Sequence, residues 1–461
     1  MKVNKNIITS LSIKDGIFWS IMLGTGEAYV TPFAIAIQAP TYFIGLLSSL
    51  PMLIGSLFQA FSLHLFNILS NRKIIILGSV MLQALIWLLF SLYISNQSFS
   101  LNTILLLFIF YFIFAMLPAP LWNSWIADLI PKRDLGHFFA RRNQYLLFFQ
   151  FISILTAGYI LNSLFKEHIL VGFSFLFFIA FVSRSFCIYF LYKTPDKSSF
   201  FIPSSTQQLN WKKFLFNKKF YHYRNFSLFT FILILGTYIA SPFFDVYMLK
   251  VLKFDYFSWS VILFASGLSK IFFFKYWADS IKFFGHKAVL VSTTIIISLI
   301  PILWIFVKEP FFIFLINMLT GIAWSGFDMV TFLYLLWPKE KEVKILYTSF
   351  IQLVRGASTV IGSLIGGILL TFFEQNFDKF FSFYLIFILS SLLRTLSIFL
   401  FHKKLDTHPI SEYKFFLKEL FFSYPTRWFA KNKDNFIDPV LHFTKFFKQK
   451  NSAFSSLLAK V

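Results

Sequence analysis

The chain has 461 residues, 57% hydrophobic and 13% charged, with 69 phenylalanines, one cysteine and a formal net charge of +22. A soluble domain carries about 25% charged residues, so this chain cannot clothe a water-facing surface and much of it must have lipid as its solvent. The lone Cys187 excludes an internal disulfide and a cysteine-based metal cage.

The stretch Met1–Lys14 is polar and basic. The apolar run after it lacks a small-x-small cleavage pattern, so it reads as a first span rather than a removed signal peptide. Apolar stretches of bilayer-crossing length, roughly 20 residues, lie at 15–38, 42–66, 74–95, 102–127, 143–165, 169–192, 225–249, 256–274, 288–307, 311–337, 345–372 and 380–401. Turn and charge signals separate them, among them Gln38-Ala39-Pro40, Asn71-Arg72-Lys73, Pro131-Lys132-Arg133 and Lys308-Glu309-Pro310. Residues 193–224, with Thr194-Pro195-Asp196 and Pro203-Ser204-Ser205, read as a cytoplasmic linker between six-span bundles at 1–192 and 225–401. From 402 to 461 no span remains. Eleven Lys/Arg against five Asp/Glu, interleaved with Phe415, Phe416, Trp428 and Phe429, predict a basic aromatic tail lying on the membrane surface.

With the N-terminus placed inside, the internal loops hold 19 Lys/Arg and the external loops five. That bias predicts an integral protein of the plasma (inner) membrane with both termini cytoplasmic. It also explains the +22 as attraction to anionic headgroups. The charge follows topology, which argues against a nucleic-acid partner.

The halves repeat weakly at an offset near 210. Thr31-Pro32-Phe33 corresponds to Ser241-Pro242-Phe243, Leu129-Ile130-Pro131-Lys132 to Leu336-Trp337-Pro338-Lys339, and Ser183-Arg184-Ser185 to Leu393-Arg394-Thr395. An all-α polytopic protein of twelve spans in two six-helix pseudo-repeats resembles the major facilitator superfamily, whose signature between spans two and three is G-x-L-A-D-R-x-G-R-R/K. Here Leu65-Phe66-Asn67-Ile68-Leu69-Ser70-Asn71-Arg72-Lys73 keeps the basic pair, with Asn67 in place of the Asp. The second copy, Trp277-Ala278-Asp279 through Gly285-His286-Lys287, keeps an Asp, a Gly and a basic end at altered spacing. The resemblance implies alternating-access transport, with Asn67, Arg72, Lys73, Asp279, Gly285 and Lys287 in cytoplasmic gating loops. In the family the motif's Asp is a latch, and its loss at Asn67 weakens that expectation for the N-terminal half. Span four has no basic residue, which weighs against drug/proton antiport of the best-known type.

Ionisable groups within spans cost about 2.5–3.5 kcal/mol each at the centre, so each needs a reason. Glu27 lies near mid-depth of span one and is the candidate proton-exchanging carboxyl; its structural alternative is satisfaction by a neighbouring helix. Asp328 in span ten and Arg355 in span eleven fall at equal depth and are expected to form an ion pair, structural or substrate-binding. Trp122 in span four, with Asn143 and Gln144 in span five, offers polar and aromatic cavity contacts, or equally helix packing. Arg184, Lys270 and Arg394 sit close enough to the cytoplasmic edge to snorkel, and Asp245 close enough to the external edge to reach water.

The expected partners are a small solute, protons as the coupling ion and membrane lipids, for a monomer without metal or cofactor. A lipid carrier or flippase of the same fold is the nearest rival, and a non-transporting receptor or assembly factor the rival of another class. No H-E-x-x-H and no phosphate-cradling glycine loop points to an enzyme.

Overall fold

The computed structural model describes residues 5–59, 61–95, 100–196, 220–336, 341–401 and 428, and among them the chain is helical with no strand. Eleven helices are long and apolar enough to cross a membrane. Ile7–Ala36, Thr41–Gln59, Arg72–Ser95, Leu101–Leu129, Arg141–Leu164, Ile169–Lys193 and Tyr221–Val251 are spans one to seven. Pro310–Leu335, Phe350–Asn376 and Lys379–Phe401 are spans ten to twelve. The 51-residue Tyr256–Phe306 holds spans eight and nine together.

A straight helix of that length would run about 77 Å at 1.5 Å per residue, more than twice the hydrocarbon thickness of about 30 Å. Gly285 divides it, with φ 80° and ψ 164°. That conformation is essentially confined to glycine. A Cβ there would meet no atom within 4 Å, so backbone conformation rather than space selects the residue.

Several boundaries differ from the sequence expectation, span one for example starting at Ile7 rather than 15. Span seven starts at Tyr221 instead of 225, and the helix carrying span five starts at Lys132, well before 143. Most of the expected linker, 197–219, and the tail from 402, apart from Trp428, lie outside the described residues.

The weak repeat has a structural counterpart. Pro32 and Pro242 each lie within a helix, and Phe33 and Phe243 beside them are fully buried. Ser91 donates to the Ser174 carbonyl at 2.9 Å, tying span three to span six. Ser391 donates to the Ser298 carbonyl at 2.6 Å, tying span twelve to span nine. Gly26 and Gly236, 210 apart, both let the first helix of their half approach the sixth: a Cβ would press on Ala180 in one case and on Leu393 and Arg394 in the other.

The buried apolar side chains form three clusters. One lies at the distal end of the bundle, away from the termini, and is shared by both halves, with Tyr29, Phe33, Phe43 and Phe173 from the first and Phe243, Tyr247, Trp259 and Trp304 from the second. The other two lie at the proximal end, where the described chain begins and span twelve ends, one per half. Ile8, Ile75, Trp125 and Cys187 belong to the first half, and Phe226, Trp277, Tyr334 and Tyr347 to the second.

The distal seam is close-packed. Thr41 donates to Glu374 at 2.7 Å, and the Tyr29 ring sits edge-on to Trp259 at 5.1 Å. Added Cβ atoms at Gly45 and Gly158 would lie 2.8 and 2.7 Å from the carbonyls of Ser363 and Tyr256. Phe151 of span five fills the space where a side chain at Gly267 of span eight would stand, which carries the seam towards mid-depth. A core continuous across both halves at one end and divided at the other gives two bundles joined distally.

Candidate functional site

Glu27 closes a π-helical turn, Leu23–Glu27, in span one. Such turns are rare and frequent at functional sites. Two glycines place it: Gly24 abuts the Gln150 carbonyl of span five, and Gly26 abuts Trp87 and Ala180 of spans three and six. The Glu27 carboxyl accepts a 2.6 Å hydrogen bond from the Tyr111 hydroxyl of span four. Tyr111 is held by stacking on Phe108 at 5.4 Å and by the edge of Trp87 at 4.8 Å. The Gln83 amide is also buried beside Tyr111, and the buried Trp87 indole nitrogen has no hydrogen-bond partner among the described residues. No cation pairs with the half-buried Glu27 among the described residues, and Tyr111 is its hydrogen-bond partner.

In the second half, three spans converge on Asp328. Its Oδ2 lies 2.5 Å from Lys270 Nζ of span eight, and its Oδ1 3.7 Å from Arg355 Nη2 of span eleven. The side chains are 44% (Lys270), 27% (Asp328) and 31% (Arg355) exposed. Charged groups at this depth cannot face lipid cheaply, so the exposed portions look into the space between the halves. The expected Asp328–Arg355 pair is present but long. Lys270, expected to snorkel, instead makes the shorter contact.

The other cations also depart from expectation. Arg394 is 2% exposed and donates to the carbonyls of Ile297 and Thr237 at 2.8 and 3.4 Å, so it fastens span twelve to spans nine and seven. Arg184 is likewise buried. Asp245 is half-buried and accepts from the Trp259 indole at 2.9 Å rather than standing free in water.

Sequence reasoning missed one pair altogether. Asp15 and Arg142 are buried and lie 3.6 Å apart, and the Arg142 guanidinium stacks over Trp122 at 4.5 Å and donates to the Ser12 carbonyl. Trp122 is thereby placed on a structural ion pair between spans one and five. Asn143 and Gln144 are exposed, make no side-chain hydrogen bond among the described residues, and join neither Glu27 nor the Asp328 triad.

The loops that the resemblance marks as gating loops carry ion pairs in each half. Asn67 is exposed, yet Arg72, 2% exposed, bridges Asp128 at 2.5 Å and Asp196 at 3.2 Å. Lys73 beside it donates to the carbonyls of Tyr192 and Thr194. Spans three, four and six are thus tied together by the retained basic pair. In the second half Asp279 accepts from Lys282 and from the Trp428 indole, both at 3.1 Å. The Trp428 ring sits edge-on to Tyr276 at 5.4 Å. Lys287, two residues beyond the Gly285 break, is half-buried.

The fold and these sites can be set beside known proteins. The family model described as Major Facilitator Superfamily matches residues 16–336. No curated protein matches the chain. Among solved structures, the nucleoside transporter NupG is similar at a TM-score of 0.61 and 16% identity, over 90% of this chain and 100% of that one. The xylose transporter XylE from E. coli, inward open, is similar at 0.62 and 13% identity, over 88% of this chain and 97% of that one. A bacterial homologue of the human lysosomal transporter Spinster, inward-facing, is similar at 0.61 and 12% identity, over 89% and 100%. At such identities the structures speak for the fold, while the family match covers more than half of the sequence. The chain belongs to the Major Facilitator Superfamily, a family of membrane transporters rather than enzymes.

Proposed function

We propose that the chain moves a small solute across the plasma membrane by alternating access, with Glu27 exchanging the coupling proton. The observation that carries the coupling role is the isolation of this carboxyl. It is half-buried within span one beside a hydroxyl, with no cation partner among the described residues, so protonation is its way of shedding charge at this depth. Its partner at the 210 offset is Thr237, whose hydroxyl is engaged by the Leu233 carbonyl of its own helix. A carboxyl in one half alone, where the repeat needs none, favours function over packing. The charged triad between the halves favours a polar solute over a lipid.

With the termini cytoplasmic, as the Lys/Arg bias favours, the joined distal end faces outward and the arrangement is the inward-facing one. Two of the similar structures, the Spinster homologue and XylE, are inward-facing and inward open. The test is uptake into proteoliposomes of labelled xylose, uridine, succinate and benzoate, with and without an inward-directed proton gradient. Wild-type protein accumulates a probe only with the gradient, and Glu27→Gln still exchanges it across the membrane but no longer accumulates it. Identical accumulation by wild type and Glu27→Gln contradicts the coupling role. A wild-type protein that moves none of the probes contradicts transport.

A further inference from the structure

The triad at Asp328 holds two cations and one anion. The other acids of the described spans seven to eleven are engaged elsewhere: Asp245 by Trp259 and Glu374 by Thr41 at the distal end, and Asp279 by Lys282 and Trp428 at the proximal end. Asp328 is therefore the one carboxylate available to both Lys270 and Arg355, and the cluster keeps one positive charge in excess. A structural ion pair needs one cation per carboxylate; the second is unexplained by packing.

The geometry says which cation is short of a partner. Lys270 has the close contact at 2.5 Å, whereas the Arg355 guanidinium stands 3.7 Å from the same carboxylate. Charge-assisted guanidinium–carboxylate bonds run about 2.7–2.9 Å. Beyond that long approach the Arg355 guanidinium has no hydrogen bond among the described residues, and its side chain is 31% exposed. A planar fork of donors beside a lysine point charge, both open to the space between the halves, matches a carboxylate accepting from both.

We propose that Arg355 and Lys270, steadied by Asp328, are the anchor for the substrate, and that the substrate class is small organic anions recognised through a carboxylate. Binding supplies the missing negative charge. This rests on the transporter reading above and narrows its solute. Lys270 stands one turn from Gly267, the residue on which span five packs, so occupancy would sit just proximal to the seam that must open.

The test is thermal melting of the purified full-length protein in detergent, with succinate, benzoate and citrate against xylose, uridine and chloride at equal ionic strength. Uptake of the same labelled probes into proteoliposomes accompanies it. At least one carboxylate raises the melting temperature and is taken up. Arg355→Gln weakens that binding by roughly tenfold or more, the loss of a charge-assisted contact. Arg355→Lys, which keeps the charge without the fork, falls between. Should Arg355→Gln fail to fold, the wild-type profile and the Lys variant decide. Stabilisation and uptake of xylose or uridine, unchanged in the Arg355 variants, overturns the anion site while leaving transport standing. A wild-type protein that no carboxylate stabilises beyond chloride also overturns it.

Discussion

Replacing Asp328 by Asn removes the only carboxylate between Lys270 and Arg355 and leaves two cations facing each other. Two unit charges about 4 Å apart interact by about 4 kcal/mol at an effective dielectric of 20 and by about 1 kcal/mol in water. The 44% and 27% exposure of Lys270 and Asp328 places this pair between those limits. Polar contacts between membrane helices often couple by less than 1 kcal/mol, with maxima near 1.7. A destabilisation of about 1–2 kcal/mol follows for Asp328→Asn. Lys270→Met on the same background removes the surplus charge, so the double variant should recover about 1 kcal/mol relative to the sum of the single changes. A double-mutant cycle read by melting in mild detergent measures this. Additivity within about 0.5 kcal/mol, the scatter expected of independent sites, would refute the view that Lys270 and Asp328 interact.

Two further outcomes concern the proximal loops. Arg72→Ala leaves Asp128 and Asp196 without their shared guanidinium and should lower stability by about 2–4 kcal/mol, with Arg72→Lys recovering part of the loss because one ammonium cannot replace the fork; melting of both variants checks this, and equal stability of Arg72→Ala and wild type would contradict it. Gly285→Ala should cost about 1–3 kcal/mol through backbone conformation alone, since its Cβ meets no neighbour; an unchanged melting temperature would show that the helix is continuous at that point.

The spans were legible because hydropathy is a property of sequence segments. Partnerships between spans were not, because they depend on where each helix ends and how it is rotated. Lys270 was expected to snorkel from a span ending near 274, but the helix continues to the break at Gly285, which carries Lys270 too deep to reach the edge. Arg142 was counted as a loop cation for the same reason: its helix begins at Lys132, and the residue is buried against Asp15. The first-half latch was discounted with Asn67, yet Arg72 finds carboxylates 56 and 124 residues away, partners that no local signature contains. Glu27 was found from its depth, whereas Tyr111, which holds it, looks in sequence like one more aromatic in an apolar run.

Alternating access is the central claim, and it is a statement about two distances that must change in opposite directions. Spin labels at Leu164 and Phe306, 68% and 78% exposed, report across the joined distal end; labels at Leu69 and Phe283, 47% and 58% exposed, report across the proximal end. The buried native thiol, Cys187, is replaced by Ser. Pulsed electron resonance distances in lipid nanodiscs, at acidic and neutral pH and with each carboxylate probe, should reveal a second population in which the distal pair lengthens as the proximal pair shortens. A single unchanged distance at both ends under every condition would contradict the account.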